Sequence, residues 1–449
     1  MKRLTEINDF EDLMNIGISN LKVRDPEVTN ILNAEVLRQN HTLSLVASCC
    51  AVNTESLVAS ASSLVNVTAE GTPGKRYHAG CKNVDLIESL AIDRARKLFD
   101  AEYAGVQSHS ASSANYQVYS ALLNPGDTLL GMALDFGGHL THGSPVTFSG
   151  TTYKAIGYGT TLDGQIDYQE VEKLALEYQP KLIVCGATAY SRTVDFARFR
   201  EIADMVGAIL MADISHIAGL VVAGLHPSPI NHAHITTTCT HKQLSGPRGG
   251  LILSGRDANK IVSGKDKTFS QLLDAAVFPK MQGAPAVNAI ASKAVAFGYA
   301  MTPEFKQYME RIRSSANVIA QEFDKRGYEV VGQISENHTV LIRLSGEMTG
   351  AIAEEALEQC SILVNKNRVP GETRSSFVTS GLRIGTGSLS QRHFDSEGCE
   401  RVVNLICNIL ESVEPLDQKN YYLDRKLIEK FSAESYRLCE KYPIKEYKI

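Results

Sequence analysis

The sequence predicts an α/β fold built on a largely parallel sheet, followed by a smaller α+β domain. Three observations carry this. Between about residue 100 and residue 255, short apolar runs alternate with amphipathic stretches. The residues best suited to chemistry, Asp213 and Lys242, stand at the ends of two of those runs, where open α/β sheets place their sites. Beyond residue 290 the pattern changes to long helical stretches with few strands. A length of 449 residues exceeds one typical core, so two domains plus extensions are expected.

Taken in order, residues 1 to about 40 are polar with a weak helical period (Leu13, Ile16, Ile18, Leu21) and read as an arm that packs on something else. SLVASCCAVN (44–53) is a short apolar segment that breaks at Asn53. GTPGKRYHAGC (71–81) is rich in glycine and proline and reads as a loop; Lys75, Arg76, Tyr77 and His78 on it are a functional hint. Leu86, Leu90, Ala91, Ala95 and Leu98 mark one face of a helix. A second helix follows the small hydroxyl residues of QSHSASSANYQVYSALL, and DFARFREIADMVG is another. DTLLGMAL, KLIVCGAT, AILMADIS, ITTTCT and GGLILSG read as strands. In the second section HTVLIRLSG (338–346) is a strand candidate, ILVNKNRVP and FVTSGLRIGT follow, and the tail after Gln418 is charged and helix-compatible. The expected division is an arm over 1–60, a large domain over 61–290 and a small domain over 291–449.

Bulk properties exclude some functions. With 43% apolar and 21% charged residues the chain has an ordinary globular composition. A net charge of -5 gives no reason to expect nucleic acid or an acidic membrane as partner. No apolar stretch approaches the ~20 residues needed to cross a bilayer. Lys2 and Arg3 are followed by acidic residues, unlike a signal or transit peptide, so a cytoplasmic location is expected. Nine cysteines, an odd number without a C-x-x-C pair, indicate reduced thiols and no metal site. The adjacent Cys49 and Cys50 read as packed thiols.

The chemistry centres on residues 209–250. The apolar Ile209–Ala212 delivers Asp213, with His216 three residues on; a β-branched run delivers Lys242 just before SGPRGG. A carboxylate at one strand end and a lysine at another are what a pyridoxal phosphate enzyme needs. The lysine binds the aldehyde covalently, and the carboxylate keeps the ring nitrogen protonated so that the ring withdraws electrons.

The segments AEGTPGKRYHAGC, SHSASSANYQVYSALLNPGD, GGHLTHGSPVTFSG, ADISHIAGL, TTTCTHKQLSGPRGGLILS and NKNRVP…FVTSGLRIGT run in one order from about residue 40 to residue 410. Together they resemble the serine hydroxymethyltransferase family of fold-type-I pyridoxal phosphate enzymes. The resemblance implies a large domain with a mainly parallel seven-stranded sheet, a small C-terminal α+β domain, an amino-acid substrate, and a homodimer or dimer of dimers with shared sites. It implies Lys242 as the cofactor lysine, Asp213 as the partner of the ring nitrogen, and His139 stacked on the ring. His216 and His241 lie near it. Ser110, Ala111, Ser112 and Thr188 hold the cofactor, and Gly283 and Ala284 offer backbone N–H groups to the phosphate of the neighbouring subunit. Arg383 grips the substrate carboxylate, with Ser48, Tyr77 and His78 around the substrate. The plain alternatives are a serine helix cap for Ser110 and a structural salt bridge for Arg383.

Several positions depart from the family pattern. Its first apolar motif usually ends Ala-Ser-Glu-Asn, whereas here it ends Ala47, Ser48, Cys49, Cys50. A thiol near ~8.5 cannot replace a carboxylic acid near ~4.3 in proton transfer. Thr68 replaces a tyrosine two residues before the retained Glu70, and His78 replaces the second of two tyrosines. Cys239 stands for a threonine, Asp135 and Phe136 precede the GGH motif, and Lys280 and Met281 replace a small pair. Changes clustered on the substrate and folate side, with cofactor and carboxylate contacts spared, lead to an expected aldolase or transaldolase on a β-hydroxy-α-amino acid. Glu70, Thr68 and Cys49 are then candidates beside Cβ, and tetrahydrofolate is not required. The alternatives are ordinary folate-dependent serine–glycine interconversion, a decarboxylase, oxidase or lyase on a specialised amino acid, and a silent cofactor-binding regulatory protein.

Overall fold

A computed structural model of the chain describes residues 9–445; residues 1–8 of the expected arm, with Lys2 and Arg3, and residues 446–449 of the expected small domain lie outside the described residues. The central sheet has seven strands: β1 (Tyr103–Gly105), β2 (Thr128–Met132), β3 (Lys154–Tyr158), β4 (Leu182–Cys185), β5 (Ile209–Asp213), β6 (Ile235–Cys239) and β7 (Gly250–Ser254). Their spatial order is β1-β7-β6-β5-β4-β2-β3. β7 runs antiparallel to both of its neighbours and the other pairings are parallel, so the expected α/β fold with a mainly parallel seven-stranded sheet is the observed one.

The alternation of side chains explains the continuous apolar runs. Leu182, Val184 and Met211 enter the core on one face of the sheet, while Ile183, Cys185, Leu210 and Ala212 enter the core on the other. A sheet covered on both faces demands apolar residues at every position. The pattern marks five of the seven strands. The two it misses, β1 and β3, are the two edges, where β3 is partly exposed and lacks a continuous apolar run.

The helix Lys82–Phe99 forms where expected, with a correction to its face. Val84, Glu88, Ala91, Ala95 and Phe99 are its buried row, while Leu86 and Leu90 are exposed. The arm consists of two helices, Phe10–Arg24 and Pro26–His41, neither of which buries a residue. It then enters the small domain: Leu43–Ser44 pairs in parallel with Ile362–Leu363, and Leu43 and Leu45 are fully buried there. Arg392, itself buried, fastens this junction by donating to the carbonyls of Gln39, Asn40 and Tyr442.

The small domain carries an antiparallel sheet in the order Glu329–Val330, Thr339–Arg343, Gly381–Gly385, Asn365–Asn367. The helix Val287–Ala300 buries Ile290, Ala294 and Phe297 in the core of the large sheet, so position 291 falls inside an element of that core. The next helix, Pro303–Lys325, gives Phe305 through Ile312 to that core and Ala316 through Phe323 to the core of the small sheet. One continuous helix thus joins the two cores.

Candidate active site

The C-terminal ends of β2, β4, β5 and β6 converge, and Asp213 is at their centre. It is buried, its Oδ1 accepts the N–H of Ser215 at 3.0 Å, and its Oδ2 accepts from Asn115 Nδ2 at 2.9 Å. His142 Nδ1 accepts the backbone N–H of His139, which leaves Nε2 as the protonated nitrogen, 3.1 Å from Asp213 Oδ2. Burial raises the Asp213 pKa, but the bond from His142, the charges of His142 and His139 and the bond from Asn115 outweigh it and hold the carboxyl well below the usual range. Asn115 is itself fixed, accepting from Thr237 Oγ1 at 2.6 Å and donating to Thr141 Oγ1 at 2.8 Å.

His139 is brought over this carboxylate by the two glycines before it. A Cβ on Gly138 would lie 1.9 Å from the carbonyl oxygen of Met132, and one on Gly137 would lie 2.7 Å from that of Ala189. Only a bare backbone makes that close approach. His139 Nδ1 accepts the N–H of Thr141 at 3.2 Å, so Nε2 carries the proton in the neutral ring. Burial, followed by the charge of His142, pushes its pKa down to about 4.

Lys242 follows β6 and pairs with no carboxylate among the described residues. Its charge lowers the pKa values of His139, His216, His338 and His241, in each case after burial as the larger cause. His216 and His338 stack, with ring centroids 5.4 Å apart and Nδ1 of the first 3.3 Å from Nε2 of the second. His216 Nε2 is buried without a hydrogen-bond partner. From the small sheet, Arg383 donates to the carbonyl of Thr188 at 3.1 Å and to Asn365 Oδ1 at 2.9 Å, and its Nε is buried without a partner. No carboxylate pairs with this guanidinium among the described residues, and burial pushes its pKa down to about 10. The structural salt bridge is absent, and a buried donor is left for an anion.

Ser110 caps the helix Ala111–Leu122, its Oγ accepting the N–H of Ser113 at 3.0 Å. The first-turn N–H groups of Ala111 and Ser112 have no acceptor within the helix, which suits a phosphate. Buried Asp213, unpaired Lys242, the open nitrogens of His216 and Arg383, and this helix end fit pyridoxal phosphate joined to an amino acid.

A second group lies elsewhere on the surface of the chain. Glu70 faces Gly283, whose Cβ would sit 3.3 Å from Glu70 Oε1, and Tyr77, 76% exposed, packs on Phe278 with centroids 5.5 Å apart. Thr68 and His78 are exposed, and Ala284 is half-buried beside Gly283. No contact among the described residues joins this group to Lys242. Arg76 is a correction to the loop reading: it is not a free cation but is paired with Asp85 at 2.8 Å and Glu88 at 2.5 Å. Cys49 is another correction, since it is exposed rather than packed. Cys50 is half-buried, and among the described residues none of the nine cysteines is joined in a disulfide. Cys49 lines a cleft of about 400 Å³ with Ser48, His241, Arg38 and Glu35, and Glu35 is bound to Arg38 at 2.6 Å.

Asn115, His142 and His338 escape the sequence reading. His142 stands three residues after His139 in GGHLTH, a spacing that was available as a signal; Asn115 and His338 acquire their places only through contacts 98 and 122 residues away. No helix of the described residues is long and apolar enough to cross a membrane. The family model for serine hydroxymethyltransferase matches residues 21–406 of the 449, spanning both domains and every residue of the site. The chain belongs to the serine hydroxymethyltransferase family, fold-type-I enzymes that use pyridoxal phosphate.

Proposed function

We propose that this chain breaks or forms the Cα–Cβ bond of a β-hydroxy-α-amino acid without requiring tetrahydrofolate. Pyridoxal phosphate, when bound, supplies a ring that withdraws electrons from Cα. Lys242 would hold it, Asp213 would keep the ring nitrogen protonated because its carboxyl stays ionised, Ser110, Ala111 and Ser112 would hold the phosphate end, and Thr188 would contact the cofactor. Arg383 binds the substrate carboxylate as a two-pronged donor. His139 would lie against the cofactor as a neutral imidazole, and His216, also neutral, would offer it the open Nε2, with His241 nearby.

The observation that carries the folate-free reading is Cys49. The residue expected to be a carboxylic acid beside the substrate hydroxyl is a thiol in the cleft with Ser48. Among the described residues the one acidic side chain lining that cleft, Glu35, is already bound to Arg38. Without a free acid, the route from serine to a folate-bound carbon loses its proton carrier. Serine, threonine and a bulkier β-hydroxy amino acid, each assayed with and without tetrahydrofolate, test this. Cleavage independent of folate is expected, and a serine rate that rises strongly with folate overturns it. Cys49→Glu is expected to add folate dependence.

A second reading, ordinary folate-dependent serine–glycine interconversion, is favoured by one observation. Glu70 survives, next to Gly283 on an exposed surface. In a homodimer with shared sites, Thr68, Glu70, Tyr77, His78, Gly283 and Ala284 of a second copy complete the site, and Glu70 then supplies a carboxyl group. Loss of activity in Glu70→Gln only when folate is present would favour that reading.

A further inference from the structure

Lys293 is a buried cation that the proposed function does not use. It lies on the helix Val287–Ala300, is 2% exposed, and forms no salt bridge among the described residues. Instead its Nζ donates to three backbone carbonyls: Val106 at 2.6 Å, Gly250 at 2.9 Å and Ser108 at 3.0 Å. β1 ends at Gly105, so the carbonyls of Val106 and Ser108 lie beyond the sheet ladder that would have satisfied them. Gly250 also donates its own N–H to Ser108 O at 2.9 Å. The lysine therefore ties the segment leading into Ser110 to the first residue of β7.

The last two glycines of SGPRGG, Gly249 and Gly250, make room for this arrangement. A Cβ on Gly249 would meet Lys293 Cε at 2.3 Å, and one on Gly250 would meet Ser110 O at 2.2 Å. Ser108 Oγ is held by Gln117 Oε1 at 2.6 Å, and Gln282 Nε2 donates to Gln107 O at 3.0 Å, so this turn is braced from several sides. Burying an ammonium costs several kcal/mol unless its hydrogens are all satisfied. Here all three are, by two carbonyls from the residues just before the helix N-terminus and one from the start of β7. Burial pushes the lysine pKa down to about 7, with Glu88 opposing the shift.

We propose that Lys293 is a positioning residue for the cofactor phosphate. By gathering the carbonyls of Val106, Ser108 and Gly250 it sets the direction in which Ser110, Ala111 and Ser112 present their donors. This rests on the reading that those three residues hold the phosphate. It predicts a loss confined to the phosphate end of the cofactor, since Lys293 touches neither Asp213 nor Lys242.

The test compares dissociation constants of pyridoxal phosphate and of pyridoxal, which lacks the phosphate, for the full-length wild type and Lys293→Met, with melting temperatures alongside. The wild type is expected to prefer the phosphorylated form strongly. In Lys293→Met that preference is expected to fall at least tenfold while pyridoxal binding changes less than twofold. Gly249→Ala, which crowds the lysine without removing its charge, is the second variant and is expected to lose preference in the same direction. A wild type that binds both forms equally overturns the phosphate reading itself. A preference retained in both variants, or an equal loss for both ligands, overturns the role of Lys293 and leaves the phosphate reading standing.

Discussion

The two sides of the site are built differently. On the cofactor side, Asp213 accepts from Ser215, Asn115 and His142, and Asn115 and His142 are each held by further bonds. Asp213 and Thr237 there lie on strands of the large sheet, Asn115 on the helix Ala111–Leu122 and His142 in the turn Leu140–His142. On the substrate side, Arg383 and His338 come from the small sheet, Ser48 and Cys49 from the turn after the arm, and Cys49 is exposed. A residue bound on all sides cannot change without stranding a buried partner, which costs ~1–3 kcal/mol. An exposed thiol changes almost freely. Cys49, Thr68 and His78 are exposed departures from the family pattern, whereas Cys239 is a buried one, bonded to Ser215 at the end of β6, so change is concentrated on the free side without being confined to it.

That contrast can be broken from either side. Removing the lysine that serves the braced side has the largest expected effect. Lys242→Ala loses the cofactor on gel filtration, and turnover falls on the order of 10²–10⁴-fold. Next is the clamp: Arg383→Ala lowers kcat/KM roughly 10–150-fold, as expected for losing charge-assisted hydrogen bonds of ~1.5–3 kcal/mol. Arg383→Lys recovers only part of this, because a point charge replaces a fork. Steady-state kinetics on a cleaved β-hydroxy amino acid measures both.

A smaller effect concerns acid stability. Burial, then the charges of Lys242 and Arg383, pushes His338 down to about 3, while His139 sits at about 4. In the unfolded chain these rings take up protons near ~6.5. Between ~6.5 and ~4 the unfolded state binds more protons, so stability falls as pH is lowered through that window. Melting temperatures from pH 7 to pH 4.5 are expected to drop, with a shallower slope in His338→Asn; an unchanged slope would show that this ring is not among the buried neutral groups. The smallest effect is on the exposed side. Cys49→Ser changes stability by less than ~0.5 kcal/mol, which a denaturant titration checks. A larger loss would place Cys49 among the packed residues and erase the contrast.

Much of the site is legible before any folding. Asp213, Lys242 and Arg383 stand out because their segments are locally distinctive: an apolar strand that ends in a charge, or a glycine pair beside a lysine. Asn115 is not legible as a ligand of Asp213, because a buried asparagine looks like any other until the contact across 98 residues is made, and the only sign of His142 is its spacing of three residues from His139. Leu86 and Leu90 fail for the opposite reason. Helical periodicity identifies an apolar face but not which side of it meets the core of its own chain.

The amino-acid order alone determines the mainly parallel sheet, since only a sheet buried on both faces requires runs such as Ile209–Ala212. It determines the cofactor chemistry too, through residue types at strand ends. Tertiary structure alone decides that Arg76 is spent on Asp85 and Glu88 while Arg383 is left open, because pairing depends on which carboxylates fold within reach. It also decides that Lys293 is buried against three carbonyls, and that Glu70 and Tyr77 lie apart from Lys242 on a surface of their own. Residue type is a local property, whereas burial and partnership are properties of the whole packed chain.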